Sequence, residues 1–425
     1  MNYIEKQIKE GIKIHFIQND KFKTNLIAVF LTTSLCRENV TKNALIPAIL
    51  RRGTSRLTTQ EEISKQLQNL YGASFNCGID KTGDNQVLKF YVETVNDMFL
   101  PQNKENVLQE AIQNILEIVL SPYLENGKFS KEYVEQEKQN LQQIIEGKIN
   151  NKARFAMDRC IEEMYKNEPF GIYKYGYIED LKKINETNLY EEYQKLLNDA
   201  KIDIFISGNL PQDVEDMLKQ NVAYSLLYNL ENRKPKYALP ANKTDNVEKE
   251  NIVQESMEVT QGKLVIGMQV PVENEDQKYD AMIYNSILGG SANSKLFQNV
   301  REKASLAYTA SSSYLRFKSN IFINCGIEIP NYEKALEIIK QQIEDMKNGN
   351  FTDEELENSK KGIVAAIKTI DDEQDTEITY CFGQELSQNK KTLEEYEQRI
   401  NKVTREAVLK IAEKVNVDTI YFLKN

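Results

Sequence analysis

The segment GKFSKEYVEQEKQNLQQIIEGKI, residues 127–149, has a counterpart in GNFTDEELENSKKGIVAAIKTI, residues 349–370. Both segments open with Gly, place Phe two residues later and a Ser or Thr helix cap next, and continue as a charged helix. A strand and a long helix precede each copy: QVLKFYVETV with VLQEAIQNILEIVL, and IFINCGIEI with YEKALEIIKQQIEDMKNG. The repetition predicts two similar halves that each mix strands and helices, an α+β fold.

The same repeat sets the expected domain boundaries, because a helix followed by a strand closes each half, at Asn209 and Asn425. Between the halves, residues 231–251 are polar and include two prolines, which is typical of a linker. An ordered surface excursion is the alternative for this stretch. We expect an N-terminal domain at 1–230, a linker at 231–251 and a C-terminal domain at 252–425.

Charge and composition exclude several classes of partner. The net charge is -10 and the isoelectric point is near 5.1, which disfavours nucleic acid and anionic membranes. No apolar run approaches the roughly 20 residues of a membrane span, and MNYIEKQIKEGIK has charges where a signal peptide has its apolar core. We expect a cytoplasmic protein. Its five cysteines are scattered singly and are expected to be reduced thiols: Cys36, Cys77, Cys160, Cys325 and Cys381.

The most informative motif is NSILGGSANSKLFQNVREKASLAYTASSSYLRF, residues 285–317. Gly289 and Gly290 suit the end of one helix, and a second helix and a strand follow them. Considered singly, Arg301 would be a helix-surface residue and Tyr308 a half-buried strand residue. Spacing alone therefore assigns no chemistry to either side chain.

As a whole, however, the motif resembles the signature of the M16 peptidases, the pitrilysin, insulinase and mitochondrial processing peptidase families. In the first half, RRGT (51–54), YGASFN (71–76), EPFG (168–171) and ISGN (206–209) occur in the family's order. The resemblance implies two paired, similar α/β domains, with metallohydrolase-type sheets covered by helices, that face each other across a cavity and close around a peptide. The matching positions in the motif are Gly289, Gly290, Ser294, Leu296, Phe297, Arg301, Glu302, Lys303, Leu306, Ala307 and Tyr308.

Active family members have a His-x-x-Glu-His helix just before the segment that reads RRGT here. Ligands at i and i+4 project from one helix face onto Zn²⁺, and the Glu takes a proton from bound water. In this chain, those three positions hold Ala44, Pro47 and Ala48. The resemblance therefore implies a degenerate zinc site in the first domain.

The family's third ligand is a Glu seven residues after another Glu. Here the first glutamate is Glu137 and the ligand position falls on Ile144. A shift of one or two residues in the alignment would bring Glu146 near the ligand position. One carboxylate without its histidines would bind zinc poorly. We therefore expect no catalytic residue, no metal and no cofactor.

The sequence gives little support for a metal site or a catalytic nucleophile elsewhere in the chain. The single histidine, His15, lies in the alternating strand IKIHFIQ without a Cys or carboxylate at ligand spacing, and we expect it to be a packed or an edge-strand residue. Cys77 could be proposed as a thiol nucleophile, but that chemistry needs a base, and His15 is some sixty residues away.

Other residues of the family pattern are retained. In the family, the equivalents of Arg301 and Tyr308 project toward the peptide bond at the zinc, and both side chains can donate hydrogen bonds to a carbonyl or its oxyanion. With Asn76, they are the expected substrate-binding residues. Ala304 and Ser305 replace two glycines that are usual before Leu-Ala-Tyr.

These features predict a non-catalytic subunit that binds peptide and supports a second M16 chain with an intact zinc motif. The main alternative is a structural or peptide-binding homodimer without a role in proteolysis. An active zinc metalloendopeptidase with an unrecognised site is the third possibility.

Overall fold

A computed structural model describes residues 2–101, 106–242 and 249–425. The strands of these ranges form a six-stranded and a five-stranded sheet. The first sheet contains β1 Asn2–Lys9, β2 Ile12–Gln18, β3 Thr24–Ser34, β4 Ser74–Thr82, β5 Asn85–Val95 and β6 Lys201–Gly208. The second sheet contains β7 Asn251–Ser256, β8 Gly262–Gln269, β9 Ala307–Leu315, β10 Asn320–Ile327 and β11 Asn416–Lys424.

Helices connect and cover these strands. In the first half they are α1 Val40–Leu50, α2 Gln60–Asn69, α3 Val107–Leu120, α4 Lys131–Glu146, α5 Lys152–Met164, α6 Ile178–Leu181, α7 Glu186–Asp199, α8 Val214–Gln220 and α9 Ser225–Tyr228. In the second half they are α10 Glu275–Leu288, α11 Tyr332–Lys347, α12 Asp353–Lys368, α13 Gln374–Ser387, α14 Leu393–Lys402 and α15 Arg405–Lys414, with a π-helical segment at Phe297–Lys303. Within the described ranges, none of these helices is both long enough and apolar enough to cross a membrane.

The two sheets share one strand order. The first runs β1-β2-β6-β3-β5-β4 and the second runs β7-β11-β8-β10-β9, so β1 is the only strand of the first sheet without a counterpart in the described second sheet. The pairs β2–β6 and β7–β11 are parallel, and the remaining neighbours are antiparallel in both sheets. The prediction of an α+β fold with two similar halves is therefore confirmed.

The chain divides into two compact units of three segments each. Unit 1 consists of Met1–Glu146, Ile172–Leu239 and Asp371–Gln388. Unit 2 consists of Gly147–Gly171, Pro240–Ile370 and Asn389–Asn425. Unit 1 thus contains α13 from the second half of the repeat, and unit 2 contains α5 from the first half. The ranges 1–230 and 252–425 describe the repeat in the sequence, whereas the compact units exchange one helix each.

Strand β3 shows what α13 contributes to unit 1. Ile27, Val29 and Leu31 face one side of the sheet and pack in the main hydrophobic core with α3 and α7. Phe30 faces the other side, where the centroid of its ring lies 4.9 Å from that of Phe382 on α13. Phe30 is fully buried, so β3 is covered on both faces.

Helix α5 has the corresponding place in unit 2. Its residues Cys160 and Met164 share a hydrophobic core with Val265 of β8 and Phe322 of β10. The approach is close, because a Cβ atom added at Gly267 of β8 would lie 2.7 Å from the Met164 sulfur. A larger residue at Gly267 would therefore force the Met164 side chain to move.

The first part of the predicted linker packs onto unit 1. Arg233 is buried, its Nε donates to the carbonyl of Glu10 at 3.1 Å, and its guanidinium also donates to the carbonyls of Leu197 and Ala200. Burial lowers the pKa of Arg233 to about 10. The middle of the predicted linker, 243–248, lies outside the described residues.

A buried ionic cluster attaches α13 to the first sheet. The Glu385 carboxylate on α13 accepts from Lys13 Nζ of β2 at 2.7 Å and lies 3.2 Å from Lys201 Nζ of β6. The Glu385 side chain is only 5% exposed. Burial alone would raise the pKa of this carboxyl, but Lys201 and Lys13 outweigh it and lower the pKa to about 2.

This cluster predicts an acid-dependent loss of stability. Because the pKa of Glu385 is lower in the folded chain than in the unfolded chain, its contribution is present above about pH 4 and is lost as the pH falls toward 2. We expect Glu385→Gln to lower the free energy of unfolding at pH 7 by about 3 kcal/mol, since it leaves the buried Lys201 and the half-buried Lys13 without this partner. The same variant should lose less stability than the wild type between about pH 5 and pH 3.

Urea unfolding across this pH range measures both effects. Glu337→Gln, at an exposed position of α11, is the matched control and should behave like the wild type. An identical pH dependence for Glu385→Gln and the wild type would contradict the assigned role of the cluster.

Candidate functional site

Helix α1 contains the three residues that the sequence analysis predicts to occupy the family's zinc-motif positions. Ala44 and Pro47 are buried and Ala48 is half-buried. Their side chains offer two methyl groups and a pyrrolidine ring, without a nitrogen, oxygen or sulfur atom that could donate to a metal. Pro47 also lies inside the helix, where it has no N–H for the backbone ladder. The residues present at this place do not fit a zinc ion.

Helix α4 holds the fourth position and the glutamate that precedes it. Ile144, at the ligand position, is 48% exposed. Glu137 is buried, and its carboxylate accepts from Arg52 Nε at 2.6 Å and from Asn140 Nδ2 at 2.9 Å. The retained glutamate is thus the acceptor of an ion pair with the RRGT segment.

Glu146, the alternative ligand, lies at the exposed end of α4, where its carboxylate accepts from Gln142 Nε2 at 2.7 Å. Across the described ranges, no group of three or more His, Cys, Asp and Glu side chains is placed to hold a metal ion.

Cys77 lies beside α1 on strand β4. Its thiol is 3.5 Å from the carbonyl oxygen of Pro47. Burial raises the pKa of Cys77 to about 11, against a smaller opposing effect of Arg51, so the thiol stays protonated at neutral pH. These surroundings do not favour a nucleophilic thiolate.

His15 is fully buried in unit 1, as expected for a packing residue. Its Nδ1 lies 2.6 Å from Tyr3 Oη, its Nε2 lies 2.9 Å from Asp203 Oδ1, and its ring stacks on Phe205 at 4.2 Å. Sequence reasoning missed Asp203, because 188 residues separate it from His15 and only the parallel pairing of β2 with β6 joins them.

The retained substrate-binding candidates lie on two different units. Asn76 is exposed on β4, the edge strand of the first sheet in unit 1. Arg301 and Tyr308 belong to unit 2, on the π-helical segment and at the start of the edge strand β9.

Both donors of unit 2 are accessible. The Tyr308 side chain is 71% exposed, so the expectation from single-residue statistics, a half-buried tyrosine, is wrong. The Arg301 guanidinium lies over the ring of Phe297 at 4.5 Å, with Nε 3.6 Å from a Glu302 carboxylate oxygen. The Arg301 side chain remains 43% exposed, so it can still donate to a ligand.

Two turns fix the positions of these donors. Gly289 ends α10 as predicted, and a Cβ atom there would lie 2.5 Å from Ser312 Oγ, so only glycine lets α10 approach β9 this closely. Ser305 has a φ of 52°, in the left-handed region that favours glycine. The turn before Leu306 therefore keeps a glycine-like conformation even though Ser305 has replaced the family's glycine.

Comparison with known proteins agrees with this geometry. Residues 183–363 match the family model described as "Peptidase M16 inactive domain". The "Probable inactive metalloprotease YmfF" of Bacillus subtilis is 34% identical over 428 residues, covering 100% of this chain and 99% of that protein.

Solved structures give the same result. A conserved protein from Enterococcus faecalis V583 has a TM-score of 0.89 at 28% identity, covering 100% of this chain and 99% of the other. A peptidase M16 inactive domain from Pseudomonas fluorescens has a TM-score of 0.79 at 18% identity, covering 100% and 98%. The chain belongs to the M16 peptidase family, among its non-catalytic members.

Proposed function

We propose that this chain is a non-catalytic M16 subunit that binds peptide and supports a zinc-bearing M16 partner in peptide processing or degradation. One observation is central to the proposal. The positions that would bind zinc have lost every donor atom, whereas Tyr308 and Arg301 remain exposed. Loss of the metal ligands alone would suit any structural module, but accessible donors suit a protein that still contacts a peptide.

Strand β4 supports the peptide-binding part of the proposal. It lies at the edge of its sheet, and within the described ranges no strand pairs with its outer side. Its residues Ser74 and Asn76 are exposed, so an extended peptide could add to this edge through main-chain hydrogen bonds. Asn76 would then offer a side-chain amide beside the added strand.

The partner role is supported by the kinds of M16 protein that occur together. Bacillus subtilis has the probable inactive YmfF and also the "Uncharacterized zinc protease YmxG", which is 25% identical to this chain over 265 residues. A relative named as a probable inactive metalloprotease and a relative named as a zinc protease therefore occur in one organism. We place the proposed complex in the cytoplasm, where its five free cysteines would stay reduced.

The proposal predicts that both donors of unit 2 contribute to the rate of a complex. Arg301→Ala and Tyr308→Phe should each lower the cleavage rate of this chain combined with a zinc-bearing M16 chain, by about 10²-fold, as for the loss of one oxyanion donor. Folding and association should stay nearly unchanged, because both side chains are accessible. The measurement is the initial cleavage rate of one peptide by each reconstituted complex.

Matched controls come from accessible residues of the same types. Arg154→Ala, on α5 with a side chain 65% exposed, and Tyr228→Phe, at a tyrosine 51% exposed, should leave the rate unchanged. Lower thermal stability with an intact rate per folded complex would assign Arg301 and Tyr308 a structural role. Self-association without binding to the zinc-bearing chain would favour the homodimer.

A further inference from the structure

Unit 1 contains a cavity of 440 Å³ at one end of its sheet. It lies where β3 begins, where β5 and β6 end, and where α3 starts. This volume is within the range of small-molecule sites. Four asparagines line the cavity together with Asp97 and several apolar residues: Asn25, Asn96, Asn106 and Asn209.

Asn25, which lines this cavity, has a buried amide nitrogen without a partner in the described part of the chain. Its side chain is 1% exposed, and its Oδ1 accepts from Asn96 Nδ2 at 2.9 Å. Its Nδ2 has no hydrogen-bond partner among the residues that the structure describes, and the hydroxyl of Thr94, opposite Asn25 in the β3–β5 ladder, is also without one. A buried donor left unpaired costs about 1–3 kcal/mol, so a ligand acceptor at this place would be favoured.

Two further amide nitrogens of the cavity have only weak hydrogen-bond acceptors as partners. Asn106 Nδ2 contacts the sulfur of Met217 at 3.0 Å, and Asn209 Nδ2 contacts the sulfur of Met98 at 3.2 Å. A thioether sulfur is a weak acceptor. The oxygens of the same two amides already have N–H donors. Asn106 Oδ1 accepts from the Gln109 backbone N–H, and Asn209 Oδ1 accepts from Gln18 Nε2.

Asp97 sets the charge that the cavity accepts. Its carboxylate accepts from the backbone N–H groups of Val107 at 2.7 Å and Leu108 at 3.3 Å, which caps α3. The negative charge of Asp97 opposes an anion, and each of its oxygens already accepts one backbone N–H. Leu108 and Leu210 give the cavity apolar walls.

We propose that this cavity binds a neutral amide carbonyl with a small apolar substituent, such as one residue of a peptide. A carbonyl only accepts, which matches the amide nitrogens of Asn25, Asn106 and Asn209, whose partners among the described residues are absent or are thioether sulfurs. A sugar hydroxyl could also donate to Asp97, and glucose is therefore the comparison compound that separates the two ligand classes. This inference uses other residues than the proposed function, so each can fail without the other.

The side-chain amide signals of Asn25 and Asn209 in ¹⁵N NMR spectra of the full chain test the proposal. The probe is N-acetyl-alanine methylamide, with glucose and acetate as comparison compounds. We expect saturable shifts of both signals with the amide probe only, with a dissociation constant on the order of 1 mM for a ligand of this size. Asn25→Asp, which removes the free donor, should weaken binding at least about tenfold, equal to the loss of one hydrogen bond.

Asn209→Ala, at a half-buried position, keeps the test valid if the Asn25 variant does not fold, and should weaken binding about fivefold. Asn348→Ala, on the surface of unit 2, is the matched control and should leave binding unchanged. Equal responses to glucose or acetate would overturn the proposed ligand class. Unchanged signals with the amide probe would overturn the proposal.

Discussion

Each of the two sheets has apolar residues on both faces, and both faces must be covered for the sheet to be stable. In each unit, one of the covers is a helix from the opposite half of the repeat. Helix α13 buries Phe30 and the buried ions of unit 1, and α5 packs against Val265 and Phe322 in unit 2. The positions of α1, α4 and the edge strands β4 and β9, and hence of every candidate functional residue, depend on these covered sheets.

The repeat in the sequence was sufficient to predict the α+β class and two similar halves, because strand and helix periodicities recur in the same order in each half. It could not predict the exchange of α5 and α13. An amphipathic helix has the same pattern whichever sheet it covers, so the choice depends on contacts far apart in the chain. The boundaries 1–230 and 252–425 follow the repeat in the sequence, whereas segments 147–171 and 371–388 each belong to the compact unit of the opposite half.

At the candidate site, too, the sequence could not predict contacts between distant segments. Motif comparison located the degenerate positions on α1 and α4, and it located Arg301 and Tyr308. It gave no indication of the Glu137–Arg52 pair or of Asp203 beside His15, since each depends on packing between distant segments. The asparagine cavity was also missed, because its four amides come from separate segments with no common motif.

At the positions that the family resemblance assigns to zinc, the helices are formed but the side chains cannot bind a metal. The helix that would present the ligands is formed, and the neighbouring glutamate is buried, but that glutamate pairs with Arg52. Ala44, Pro47 and Ala48 leave nothing for a metal to bind. The fold as a whole closely matches other solved structures, with TM-scores of 0.89 and 0.79.

Zinc stoichiometry after dialysis against a chelator tests this account most directly. The wild type should retain no stoichiometric zinc and should cleave no peptide alone. A variant that combines Ala44→His, Pro47→Glu, Ala48→His and Ile144→Glu should gain about one equivalent, because it restores two imidazoles on one helix face and a carboxylate on α4. One equivalent of zinc in the wild type, with peptide cleavage that follows it, would contradict the account.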